Sequence, residues 1–150
     1  DESMEPVIEV FDRLTKVLGI RRFRKLFPVI LTDNGRCFKD ALSLEYTKSG
    51  SPRTKIFYCD PQASWQKAQV EKNHVLIRRI LPKGTSFLLL NEEDIYLITC
   101  HITSVSRELF QNKTPFDLMQ TEPQKKLLDT LGLHAIPPDD VVLKPKLIKH

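Results

Sequence analysis

Apolar residues recur near the start of the chain at Val7, Ile8, Phe11, Leu14, Val17, Leu18 and Ile20, the spacing that gathers side chains on one face of a helix. Pro6 suits the first turn of such a helix, where its missing N–H has no partner to lose. The pattern therefore predicts a helix from Pro6 to about Lys25, with Gly19 ending or interrupting it. The period then changes. Phe27-Pro28-Val29-Ile30-Leu31 is a short run with β-branched residues, halted by Thr32-Asp33-Asn34-Gly35, and predicts a buried strand that ends in a tight turn. Residues 39–55 are polar and include Lys48-Ser49-Gly50-Ser51-Pro52-Arg53, so they read as a loop before a second short strand at Lys55-Ile56-Phe57-Tyr58-Cys59.

Helical spacing returns from Ser64 to about Leu81, with Ser64 as N-cap, Pro82-Lys83-Gly84 as the stop, and Trp65, Ala68, Val75, Leu76 and Ile80 as inward contacts. A further helix is predicted from Asn91 to Phe110, capped by Asn91, with Glu92, Glu93 and Asp94 in the first turn where the helix dipole favours negative charge. Thr114-Pro115-Phe116-Asp117 opens a short helix. Gln124 to Leu131 forms an amphipathic one closed by Gly132, and a Pro- and Lys-rich extension follows. Short strands among several helices place the chain in the α/β class, helix-rich, with no internal repeat.

Composition narrows the partners. With 150 residues, 41% of them hydrophobic, the chain can build one compact domain around a real core. Lys and Arg exceed Asp and Glu by 23 to 19, a formal charge of +4, which tilts the chain mildly toward polyanions. Cys37, Cys59 and Cys100 are odd in number and lack zinc-site spacing, so they read as reduced, buried thiols of a cytoplasmic protein. The longest apolar runs fall far short of the roughly 20 residues that cross a bilayer, so no membrane partner is expected.

The candidate chemistry rests on two carboxylates. Asp33 stands at the end of the first strand, where open α/β sheets build sites. Glu71 follows 38 positions later on a predicted helix that can cross the same sheet edge. Carboxylates brought together there suit hard divalent cations, and two such ions can serve phosphodiester chemistry by activating the attacking oxygen and stabilising the leaving one. By themselves, an Asp in a turn and a Glu on a helix are equally what solvated positions carry.

The surrounding words are more specific. Ile30-Leu31-Thr32-Asp33-Asn34-Gly35 with Phe38 resembles the second-aspartate motif of retroviral-integrase-like transposases. Phe57-Tyr58-Cys59-Asp60-Pro61, Ser64-Trp65-Gln66-Lys67, Glu71-Lys72-Asn73-His74, Leu76-Ile77-Arg78 and Leu81-Pro82-Lys83-Gly84-Thr85 resemble the third-carboxylate block of the DDE transposases typified by insertion sequence thirty. Asn112-Lys113-Thr114-Pro115-Phe116 is similar to that family's closing motif. The resemblance implies a ribonuclease-H-like (integrase core) fold, of which residues 1–120 would be the C-terminal part, lacking the first strands, with 121–150 as a helical, Pro- and Lys-rich extension. The family's triad runs Asp, Asp, Glu. Its last two members map onto Asp33 and Glu71 as catalytic residues and metal ligands for Mg²⁺ or Mn²⁺, and the first is expected upstream of Asp1.

The chain opens on Asp-Glu-Ser-Met-Glu, which reads like the middle of a longer protein. Strand transfer is therefore expected of the intact protein and not of this chain alone. Arg36 and Cys37 depart from the family's usual small and acidic residues. The resemblance also implies double-stranded DNA partners, both element ends and target, assembly as at least a dimer, and a cytoplasmic, nucleoid-associated bacterial protein. Lys67, Lys72, His74, Arg78, Arg79 and Lys83 are the expected DNA-facing residues, crowding the segment that carries Glu71. Arg21, Arg22, Arg24 and Lys25 read as solvated surface. A competing reading is a non-catalytic module that binds DNA or dimerises.

Overall fold

The computed structural model of the chain describes residues 4–33, 35–60, 66 and 68–148. Helix α1, Glu5–Leu18, carries Pro6 in its first turn and buries Thr15 and Leu18. Gly19 adopts φ 80°, a conformation that favours glycine, and there the single predicted helix divides into α1 and α2, Ile20–Leu26. Phe23 of α2 is buried and stacks against Phe11 and Phe27, with ring centroids 5.8 and 5.0 Å apart, which fixes the bend between the two helices.

Strand β1, Ile30–Thr32, pairs in parallel with β2, Ile56–Tyr58, in the register Ile30↔Ile56, Leu31↔Phe57 and Thr32↔Tyr58. Among the described residues this is a two-stranded sheet. The strand expected at Phe27–Leu31 begins later because Pro28 has no N–H to give, although its carbonyl accepts from Lys55 N at 3.2 Å. It is not buried as expected: Leu31 and Phe57 are 42% and 55% exposed, while Thr32 and Ile56 point inward. The expected loop at 39–55 contains a helix, α3, Ala41–Glu45. Asp40 caps it by accepting from the Ser43 hydroxyl and from Ser43 N at 3.2 Å, bonds that hold its carboxyl below the usual carboxylate range, and Leu44 fills the interior.

The crossover between the strands is secured by a fully buried arginine. Arg53 donates from Nε to Leu44 O and from Nη2 to Ser43 O, both at 2.8 Å, and from Nη1 to Asp12 Oδ1 at 2.6 Å. Its guanidinium lies 5.4 Å from the centroid of Phe11. One planar fork thus ties α1 to the segment around α3.

The chain divides into two compact units, residues 1–68 with 122–130, and residues 69–121 with 131–150. To the first unit most of helix α7, Glu122–Leu131, adds an exposed ion pair, Glu122 to Arg22 at 2.8 Å. The second unit holds most of α4, Ala68–Ile80, together with α5, Glu92–Thr103, and α6, Pro115–Leu118. Its core joins Leu76, Ile80 and Leu81 to Ile98 and Ile102. Of the predicted inward residues of α4, Leu76 and Ile80 are buried, whereas Ala68 and Val75 face outward; Ser64 and Trp65 lie outside the described residues.

Reciprocal capping boxes start α5, through Asn91 and Asp94, and α6, through Thr114 and Asp117. Helix α5 was expected to reach Phe110 but stops at Thr103. There Ser104 Oγ donates to Cys100 O at 2.7 Å and accepts from Ile136 N at 2.8 Å, replacing a further helical turn. Cys100 is buried as expected, while Cys37 and Cys59 are only half-buried; all three thiols are free. Among the described residues no helix is long and apolar enough to cross a membrane.

His101 of α5 is buried and accepts at Nδ1 from Val142 N at 3.0 Å. Burial, with the nearby His134, lowers its pKa. The unfolded chain therefore binds this proton more readily than the folded one. The stability His101 contributes is present above its ordinary value near about 6.5 and is lost as pH falls through the lower folded value. Thermal unfolding of the chain is expected to show a drop in melting temperature between neutral and mildly acidic pH, and His101→Gln is expected to flatten that drop.

Candidate functional site

Asp33 follows directly on β1, and the pairing continues one step beyond the strands, with Cys59 N donating to Thr32 O at 2.7 Å. Because the strands are parallel, both end at the same edge, so Asp33 and Asp60 leave the sheet at that edge. Asp33 is exposed and accepts from Gly35 N at 3.4 Å. A Cβ at Gly35 would stand 3.0 Å from Asp33 Oδ1, so the missing side chain leaves room for this carboxylate. Asn34 of the same motif lies outside the described residues. The Tyr58 hydroxyl donates to Phe38 O, holding the short 3-10 segment Arg36–Phe38 against the end of β2.

Asp60 also positions Gln66. Its N–H donates to Gln66 Oε1 at 3.0 Å and its Oδ2 accepts from Gln66 Nε2 at 2.9 Å. This reciprocal pair spans the intervening motif residues, of which 61–65 lie outside the described ones. Asp60 lies within the Phe57-Tyr58-Cys59-Asp60-Pro61 motif, where the sequence alone gives it no role. Its place is visible only once the parallel register is known.

Glu71 occupies the first turn of α4 and is exposed. His74 and Arg78 follow at i+3 and i+7, on the side opposite the buried Leu76 and Ile80, Lys72 and Arg79 flank them, and all four are exposed. Lys83 is exposed in the turn after the helix, and the Arg78 guanidinium lies 5.8 Å from the ring centroid of Phe87. Lys67 lies outside the described residues. Asp33 belongs to the first compact unit and Glu71 with the described cations to the second.

Helix α4 is also tied at Asn73 by Arg107, a residue that the sequence motifs did not single out. Arg107 is buried and donates from Nη2 to Asn73 Oδ1 at 2.8 Å, with Phe110 under its guanidinium at 5.8 Å. Its backbone pairs with Lys113, N to O at 3.1 Å. The Lys113-Thr114-Pro115 stretch is thereby linked through Arg107 to the helix that bears Glu71. Burial lowers the arginine's pKa, and among the described residues its Nε has no hydrogen-bond partner. The signal in the sequence was slight: a lone cation between His101 and Lys113.

The two mapped carboxylates offer hard oxygen donors, the chemistry that Mg²⁺ and Mn²⁺ take. Among the described residues no three His, Cys, Asp or Glu side chains are grouped to hold a metal ion.

Sequence comparison places this chain beside proteins of mobile DNA elements. It is 30% identical over 80 residues to the transposase InsI for insertion sequence element IS30A of Escherichia coli (strain K12), a stretch covering 53% of this chain and 20% of that protein. It is 26% identical over 99 residues to the transposase for insertion sequence element IS4351 of Bacteroides fragilis, covering 66% and 29%. The transposase for insertion sequence element IS1086 of Cupriavidus metallidurans (strain ATCC 43123 / DSM 2839 / NBRC 102507 / CH34) is 25% identical over 71 residues, covering 47% and 21%. The chain therefore resembles transposases of the IS30 kind, and the matched stretches span less than a third of those relatives' lengths. No family model and no solved structure matches it.

Proposed function

We propose that this chain forms part of the catalytic core of a transposase of the IS30 kind, with Asp33 and Glu71 as the second and third carboxylates of its metal-binding triad. The observation that carries the reading is the similarity to transposases of three insertion elements, because the motifs quoted above supply a carboxylate at a strand end and another on a cationic helix. Mg²⁺ or Mn²⁺ held by these carboxylates would activate the attacking oxygen and stabilise the leaving one at a phosphodiester. Asp33, released at the sheet edge beside Gly35, and Glu71, in the first turn of α4, would be the ligands on this chain. The parallel pair β1 and β2 would be two strands of a ribonuclease-H-like sheet.

The exposed face of α4 supports the same reading. Lys72, His74, Arg78 and Arg79 surround Glu71, so a phosphate backbone drawn to the cations would bring a phosphodiester to the carboxylate. The partners proposed are duplex DNA, as element ends and as target, and at least one further copy of the protein, acting in the bacterial cytoplasm at the nucleoid.

The direct test is duplex binding by this chain, followed by fluorescence anisotropy across a range of salt concentrations. Replacing Lys72, Arg78 and Arg79 together with Gln is expected to weaken binding at least roughly ten-fold near physiological salt and to make the slope of log K against log salt shallower by about 2 to 3, one lost phosphate contact per cation. A slope and affinity equal to those of the unsubstituted chain would remove α4 as the DNA-facing element.

A further inference from the structure

The turn that follows α4 presents apolar side chains to water. Phe87, Leu88 and Leu89 are 54%, 95% and 70% exposed, while the next residue, Leu90, packs on the core around Leu76 and Ile80. The turn is ordered by its own bonds. Ser86 Oγ accepts from Leu88 N at 3.3 Å, Leu90 N donates to Phe87 O at 3.2 Å, and Thr85 N donates to Pro82 O at 3.1 Å. Three adjacent large apolar residues held outward in this way mark a contact surface more than ordinary surface scatter.

The surroundings say what kind of partner it fits. Residues 72–90 contain four Lys and Arg and no Asp or Glu. Arg78 stacks over Phe87, and Arg79 and Lys83 are exposed nearby in sequence. An apolar protein surface docking here would strip water from these cations without replacing it. A nucleic acid offers phosphates to the cations and flat apolar base faces to the tip. In a fully stacked duplex those faces are hidden, so the matching ligand is DNA whose bases are unpaired or frayed at an end.

We infer that Phe87 and Leu88 pack against exposed base faces at an unpaired DNA end while Arg78, Arg79 and Lys83 hold the adjoining phosphates. This rests on the proposal that duplex DNA is the partner and adds to it a preference for distorted ends.

The test compares binding of the chain to a blunt duplex and to the same duplex with an unpaired tail carrying 2-aminopurine at the junction. The unsubstituted chain is expected to prefer the tailed DNA by roughly ten-fold and to change the 2-aminopurine fluorescence. Phe87→Ala and Leu88→Ser, both at exposed positions and checked for unchanged circular dichroism, are each expected to abolish most of that preference while leaving blunt-duplex affinity within about two-fold. Retention of the preference in both variants, or its absence from the unsubstituted chain with blunt-duplex binding intact, overturns the inference alone. Failure to bind either DNA overturns this inference and the DNA reading together. Self-association in light scattering that Leu88→Ser abolishes, with DNA preference unaltered, assigns the tip to contact between copies and overturns the inference.

Discussion

Arg53→Met is expected to lower the stability of the first compact unit by roughly 4 kcal/mol, a large part of what a small domain has. The guanidinium is the donor for two carbonyls, Leu44 O and Ser43 O, and for the Asp12 carboxylate, and its side chain is 0% exposed. Methionine fills much of the volume but donates nothing, so both carbonyls lose their hydrogen bond in a site that water does not readily enter, at about 1 to 3 kcal/mol each. Asp12 keeps 27% exposure and a second cation, Lys48 at 3.6 Å, so its loss is the smaller share. Lysine is no substitute, because an ammonium cannot address three acceptors in one plane. Urea titration, read by hydrogen exchange at α1 and α3, measures the effect. A loss below about 1 kcal/mol would mean that other contacts hold α1 to the crossover.

The second large effect concerns chemistry. In a transposase that carries this sequence together with the remaining carboxylate, Asp33→Asn and Glu71→Gln are each expected to reduce strand cleavage and joining by roughly a thousand-fold or more while leaving duplex binding nearly intact. The substitutions preserve size and remove the charge that a divalent cation needs, and members of one catalytic unit fail together, so the double variant is expected to be little worse than either single one. Both side chains are exposed, and neither substitution opens a cavity, so a fall in rate could not be assigned to unfolding. Undiminished cleavage in either variant would exclude that residue as a ligand.

What the sequence disclosed followed from local physics. The helix break at Gly19 and the helix starts at Asn91 and Thr114 are written in residues that act within three or four positions. The α3 helix was missed because its cap, Asp40, begins a segment dominated by turn-forming residues, and the burial of Leu44 outweighs that composition. The early stop of α5 depends on Ser104 meeting Ile136, 32 positions away, which periodicity cannot show. The same holds for Arg53, which reads as a loop cation and becomes the buried tie of the first unit. At the candidate site, motifs pointed to Asp33 and Glu71, and the run of basic residues along α4 pointed to its cations. Asp60 and Arg107 acquire their places only from the parallel strand register and the Asn73 contact.

The central claim is that Asp33 and Glu71 serve one divalent-metal site. It is tested most directly by titrating Mn²⁺ into the isotopically labelled chain and following paramagnetic broadening of backbone signals by NMR. The account predicts that resonances around Asp33 and around Glu71 broaden together at the same Mn²⁺ concentration, that Mg²⁺ competes, and that either Asp33→Asn or Glu71→Gln relieves broadening at both places. Broadening at one carboxylate that survives loss of the other, or none at either, would contradict it and leave a DNA-binding module without a metal centre of its own.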